Sequence, residues 1–130
     1  MPRFDIREIE EVSGNRVRIY KLFKDGQCEF DEFCMEIRKD GNLKAQLAVI
    51  QNRLEDVANM RLLPVAKFRD ITPLKSSVKE YEVKTHDLRV YLFHEELKGK
   101  IIACAGKKST QKKDIKRFRR IIHEYFESQS

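Results

Sequence analysis

The sequence predicts an α+β fold, and three observations predict it. A strand-period run lies near the start, two helix-period runs follow at short spacing, and three closely spaced strand-period runs precede one last helix. A chain of 130 residues holds one substantial core and is too short for two, so a single domain over residues 1–130 is expected.

The first strand is Arg16 to Phe23, where polar and apolar residues alternate, and Lys24-Asp25-Gly26 ends it with turn chemistry. The residues before it, with Arg3, Asp5, Arg7 and Glu8, read as a merely charged N-terminus. Phe30, Phe33, Cys34 and Ile37 fall at i, i+3, i+4 and i+7, one face of a helix. Asp40-Gly41-Asn42 breaks that helix, and Leu43, Leu47, Ile50, Leu54 and Val57 form the stripe of a second, ending near Met60. So short a connection predicts an antiparallel helical hairpin. Pro64 and Pro73 bracket Val65 to Thr72, expected to be irregular. Lys79 to Thr85, Leu88 to His94 and Lys100 to Ala105 then predict a three-stranded antiparallel meander, because the gaps permit only hairpins. Lys112 to Phe126 predicts the C-terminal helix, with Ile115, Phe118, Ile122 and Tyr125 on one face and Ser109 or Thr110 as its N-cap. The core is expected between the hairpin and the sheet, from Phe30, Phe33, Ile37, Leu47, Ile50, Leu54, Tyr81, Val83, Val90, Leu92 and Ile101.

Charge is distributed unevenly. The chain carries 27 basic and 21 acidic residues, but Lys98 to Arg120 alone holds ten Lys or Arg against Asp114, a segment charge of +9. The remaining 17 basic and 20 acidic residues sum to −3. A basic end on a slightly acidic domain is the footprint of a polyanion partner, above all RNA. Cys28, Cys34 and Cys104 are an odd count without metal-ligand spacing and read as reduced thiols of a cytoplasmic protein. Without an apolar leader or an apolar run of membrane-spanning length, neither secretion nor a membrane location is expected.

Side chains alternate across a strand, which divides each one into two sets. Setting Tyr81 and Val83 against the helices leaves Glu82 and Lys84 on the opposite face, together with Arg89 and Tyr91 from the next strand. Continuing the last strand past Gly106 brings Lys108 to the same side. The expectation is an open sheet face surrounded by Glu82, Lys84, Arg89, Tyr91 and Lys108, with the basic terminal helix along its edge. A solvated face of alternating charge competes evenly with a nucleic-acid site on this pattern. Gly106-Lys107-Lys108 before Ser109-Thr110 lacks the first glycine and the spacing of a phosphate loop, which excludes nucleotide hydrolysis of that type.

Tyr81-Glu82-Val83-Lys84, Leu88-Arg89-Val90-Tyr91 and Gly106-Lys107-Lys108-Ser109-Thr110-Gln111-Lys112-Lys113, with a basic terminal helix after them, resemble the RelE/ParE superfamily of bacterial toxins. The branch they are most similar to is the HigB-like, phage-derived RelE-like one, and the likeness is carried by residues 62–120. It implies a RelE-like α+β toxin held in check by a cognate antitoxin, of helix-turn-helix type. It further implies action on mRNA at the ribosome as a metal-independent endoribonuclease, without a cofactor; ParE-like members instead poison DNA gyrase. In the cleaving members the RNA 2′-hydroxyl attacks the adjacent phosphorus while Arg and Lys stabilise the charge on the phosphoryl oxygens, about 2.7–4 kcal/mol for one well-aimed donor.

Carried over by position, Lys84, Arg89 and Lys108 match the catalytic or phosphate-binding cations of such toxins. Lys107, Lys112, Lys113, Lys116 and Arg117 are the expected RNA-binding cations, with Tyr91 as a base-stacking candidate or a core aromatic. The general base stays open among His86, Glu82 and Asp114; a turn histidine such as His86 is equally explained as a solvated group. His94 and His123 read as structural or surface residues. Glu82 stands where the most active RelE type has lysine, though glutamate is usual in the HigB-like branch. The absence of a tyrosine early in the terminal helix favours a second hypothesis, a non-catalytic binding protein of the same fold, gyrase-directed or a degenerate mobile-element relative.

Overall fold

The computed structural model describes residues 2–12 and 16–130. Its elements are β1 (Phe4–Glu8), β2 (Ile19–Lys24), α1 (Glu29–Arg38), α2 (Ala45–Ala58), β3 (Phe68–Asp70), β4 (Glu80–Lys84), β5 (Leu88–Glu95), β6 (Gly99–Lys107) and α3 (Gln111–Gln129), with a 3-10 turn at Lys108–Thr110. The fold is α+β, as expected from the sequence. The strands form one mixed sheet in the order β1-β2-β6-β5-β4-β3.

Several elements differ from expectation. The charged N-terminus is a strand, β1, because Phe4 and Ile6 supply the apolar alternation that packs it on the sheet. The strand expected at Arg16 starts at Ile19 and runs parallel to β6, which makes the sheet mixed. The stretch between the two prolines contains β3, whose Phe68 stacks on Tyr81 with centroids 5.0 Å apart. β4, β5 and β6 pair antiparallel in succession. The helices do not pack chiefly on each other: α1 lies over β6 and β2, α2 over β4, so each apolar stripe meets the sheet. α2 ends where Met60 turns to positive φ, and α1 begins on Glu29, Asp31 and Glu32, which suit the positive end of its dipole.

Two apolar layers result, one on each face of the sheet. Phe30, Phe33, Ile37, Ile50 and Leu54 meet Val83, Val90, Leu92 and Ile102 on one face, with Leu47 and Tyr81 at the margin. Phe118, Ile121, Ile122 and Tyr125 of α3 meet Tyr91, Phe93 and Ile101 on the other. Ile101, expected in the first layer, lies in the second. The cause is a register shift opposite Tyr91 and Leu92, which leaves Ala103 as an extra residue of β6 and resets the alternation. Burying both faces of β5 follows from its composition, since Leu88, Val90 and Leu92 alternate with Tyr91 and Phe93. Among the described residues, no helix is long and apolar enough to cross a membrane.

Candidate nucleic-acid interface

The expected open face is covered: α3 crosses the sheet instead of lying along its edge. That placement corrects the positions of four residues. Glu82 is 0% exposed; it accepts from Gln111 Nε2 at 2.5 Å and lies 3.3 Å from Arg69 Nη2. Tyr91 is also 0% exposed, its ring 5.6 Å from that of Phe118, so it is a core aromatic and not a stacking platform. Burial, and then the neighbouring Glu82 carboxylate, push its phenol above the usual range. Asp114 is buried and accepts from Thr110 Oγ1 at 2.6 Å and from Arg117 Nη1 at 2.7 Å. Arg89 lies on the α3 side at 5% exposure.

Arg89 has an uncommon environment for a buried guanidinium. Nη1 donates to the carbonyls of Thr85 at 2.6 Å and Leu88 at 2.8 Å, while Nε is buried with no hydrogen-bond partner. No carboxylate among the described residues lies within ion-pair distance of it. A buried cation without an ion pair is costly, and an anion approaching its free side would offset that cost. Lys84 is the residue directly across the hairpin from Arg89 and is half-buried.

The hairpin end that holds this pair is rigidly built. Gln46 of α2 takes the Thr85 hydroxyl at 2.5 Å and the Asp87 amide at 2.9 Å on Oε1, and donates from Nε2 to Asp87 Oδ2 at 2.8 Å. Thr85 Oγ1 accepts the Leu88 amide at 3.1 Å, and Arg53 Nη1 binds the Lys84 carbonyl. The Lys108 amide then donates to the Asp87 carbonyl at 2.7 Å, tying the end of β6 to the same turn. His86 is exposed at the tip.

Lys107, Lys108, Lys112, Lys113 and Lys116 are exposed on the end of β6 and the first turns of α3, and none has an ion pair among the described residues. Lysines in the first turn of a helix oppose its dipole, and a bound anion would relieve both. A shallow depression of about 440 Å³ among Leu43, Asp87, Lys107, Lys108 and Ser109 adjoins this rim. A larger cavity, about 800 Å³ between Pro73, His94, Leu97, His123 and Phe126, lies elsewhere, at the turn joining β5 to β6. A further depression of about 750 Å³, lined by Lys112, Lys113, Ile115, Lys116 and Arg119, runs along α3, and an open, lysine-lined groove of this kind suits a polymer backbone.

Arg117 does not belong with the free cations. At 28% side-chain exposure it donates to Glu29 Oε1 at 3.0 Å and to Asp114, joining α3 to α1. The supporting residues Gln46, Arg53, Arg69 and Gln111 were not legible as such, since a lone polar side chain in a helix or loop carries no periodic signal. Of the three general-base candidates, His86 alone is exposed; Glu82 and Asp114 are enclosed. Lys84, His86, Lys107 and Lys108 share one end of the sheet with Arg89 just beneath. Comparison with protein-family models, curated proteins and solved structures returned no match.

Proposed function

We propose that this chain is the toxin of a bacterial type II toxin-antitoxin system, a metal-independent endoribonuclease acting on mRNA at the ribosome in the cytoplasm. The observation that carries the proposal is Arg89, buried to more than nine-tenths and without an ion pair among the described residues, directly across from Lys84 at the lysine-rich end. The toxin-like motifs hold these same residues. In this scheme Lys84, Arg89 and Lys108 neutralise a scissile phosphate while Lys107, Lys112, Lys113 and Lys116 hold the flanking backbone. The 2′-hydroxyl attacks phosphorus to form a 2′,3′-cyclic phosphate, His86, as the exposed base candidate, takes the hydroxyl proton, and the 5′ oxygen leaves with a proton from water. Glu82 and Asp114 act as buried supports. A helix-turn-helix antitoxin is the expected partner.

A second proposal, a non-catalytic binding protein of the same fold, is favoured by the enclosure of Glu82, Tyr91 and Asp114, which leaves few groups for proton transfer. Induced expression with and without an adjacent antitoxin frame separates the two. Arrested translation with cleaved mRNA, relieved by the antitoxin and insensitive to chelators in vitro, supports the nuclease. SOS induction with intact mRNA supports gyrase poisoning, and unimpaired growth overturns the toxin proposal.

A further inference from the structure

β1 is an edge strand: it pairs with β2 on one side and, among the described residues, with no strand on the other. The Arg3 carbonyl accepts the Asp25 amide and the Ile9 amide donates to the Ile19 carbonyl, so odd-numbered residues turn their backbone groups inward. Phe4, Ile6 and Glu8 therefore present N–H and C=O along the free edge. Natural edges are blunted by proline, bulges or charges that repel a second edge. β1 has no proline or bulge, and its charges attract their own mirror sequence.

We infer that β1 pairs antiparallel with β1 of a second copy of this chain, about a two-fold axis at Ile6. In that register Ile6 opposes Ile6 of the second copy and exchanges both backbone bonds with it, and Phe4 does the same with Glu8. Asp5 then opposes Arg7 of the second copy, and Arg7 opposes Asp5, in the non-hydrogen-bonded positions where side chains come closest. The run Phe4-Asp5-Ile6-Arg7-Glu8 is thus charge-complementary to itself. The other face is consistent: Phe4 and Ile6 pack against the apolar layer beneath α3, and pairing extends that layer across the axis. Asp5 and Arg7 are exposed; among the described residues Asp5 is held only by Arg3, at 3.3 Å, and Arg7 only stacks over Phe23, at 4.6 Å. Both are free to turn to a partner. The axis stands perpendicular to the sheet, so the two basic ends point in opposite directions and stay open. RNA binding and pairing are therefore separable.

Sedimentation of the whole protein over a concentration series tests the pairing. The wild type should show a monomer–dimer equilibrium. Asp5→Arg and Arg7→Asp each place like charges in both opposed pairs, and each should weaken self-association by about tenfold or more. Mixed one to one, the two variants oppose only unlike charges and should associate again, and the double variant Asp5→Arg/Arg7→Asp should associate as the wild type does. Circular dichroism checks that each variant is folded. A wild type that stays monomeric at every concentration overturns the inference. So does a dimer indifferent to both single substitutions, or variants that fail to recover on mixing.

Discussion

Asp114 occupies the space above Gly106: a β-carbon on Gly106 would lie 2.8 Å from Asp114 Cγ and 3.4 Å from Thr110 Oγ1. The first turn of α3 thus sits directly on the backbone of β6, and only glycine permits that approach. Gly106→Ala must displace a carboxylate already held by Thr110 and Arg117, and should cost about 1–3 kcal/mol as overpacking. Denaturant unfolding measures it. Adding Asp114→Ala should recover part of the loss, a non-additive cycle that marks direct contact.

Leu54 anchors α2 at 1% exposure in the layer shared with Val83 and Val90. Leu54→Ala should lower unfolding free energy by about 2–5 kcal/mol, with an unchanged m-value in urea.

Arg89 should reveal a split between stability and activity. Removing its side chain leaves the Thr85 and Leu88 carbonyls without their donor, so Arg89→Ala should lose about 1–3 kcal/mol yet remain folded. Growth arrest and RNA cleavage should disappear altogether. A folded Arg89→Ala protein that still arrests growth removes Arg89 from the site. Lys84→Ala and Lys108→Ala should reduce activity less.

The exposed lysines of α3 should govern salt dependence without affecting the fold. Replacing Lys112, Lys113 and Lys116 by Gln should reduce the slope of log K against log salt by about 0.7 for each phosphate of a single strand that is no longer neutralised. Arg117→Gln should behave differently, lowering the melting temperature because Glu29 and Asp114 lose their shared cation. Binding titrations at several salt concentrations, beside thermal melts, distinguish the two.

Burial raises the Cys104 thiol from an ordinary 9.0 to about 12, and Cys34 to about 11. A raised thiol pKa means that the folded state keeps its proton while the unfolded chain loses it. These two thiols should therefore leave stability unchanged well below pH 9 and lower it as pH rises through 9 toward 12. At pH 8, iodoacetamide should label Cys104 only as fast as the protein opens, followed by mass spectrometry of the labelled peptide.

Local signals were legible where one periodicity dominated. Phe30 to Ile37 and Leu47 to Val57 announced two helices, and three strand runs at hairpin spacing announced three paired strands. β1 and β3 were missed because each is short: β1 alternates over only two apolar residues, Phe4 and Ile6, and β3 spans three residues, too few for a period to stand out. For the site, the basic end was visible as charge density, and the lysines are exposed there. Whether Arg89, Glu82 and Tyr91 faced water was not visible, because strand alternation separates two faces without saying what covers either.

The sequence by itself determined the α+β class, the basic C-terminal third and the apolar character of both sides of β5, because these follow from composition and period. Tertiary structure decided that α3 lies across the sheet, that Arg117 and Asp114 serve packing, and that Arg89 is buried without an ion pair among the described residues. The physical reason is that each of these depends on contacts between elements far apart in sequence. One extra residue in β6, at Ala103, moves Ile101 from one apolar layer to the other. Pattern within a strand cannot register such a shift, because it arises only when β6 pairs with β5.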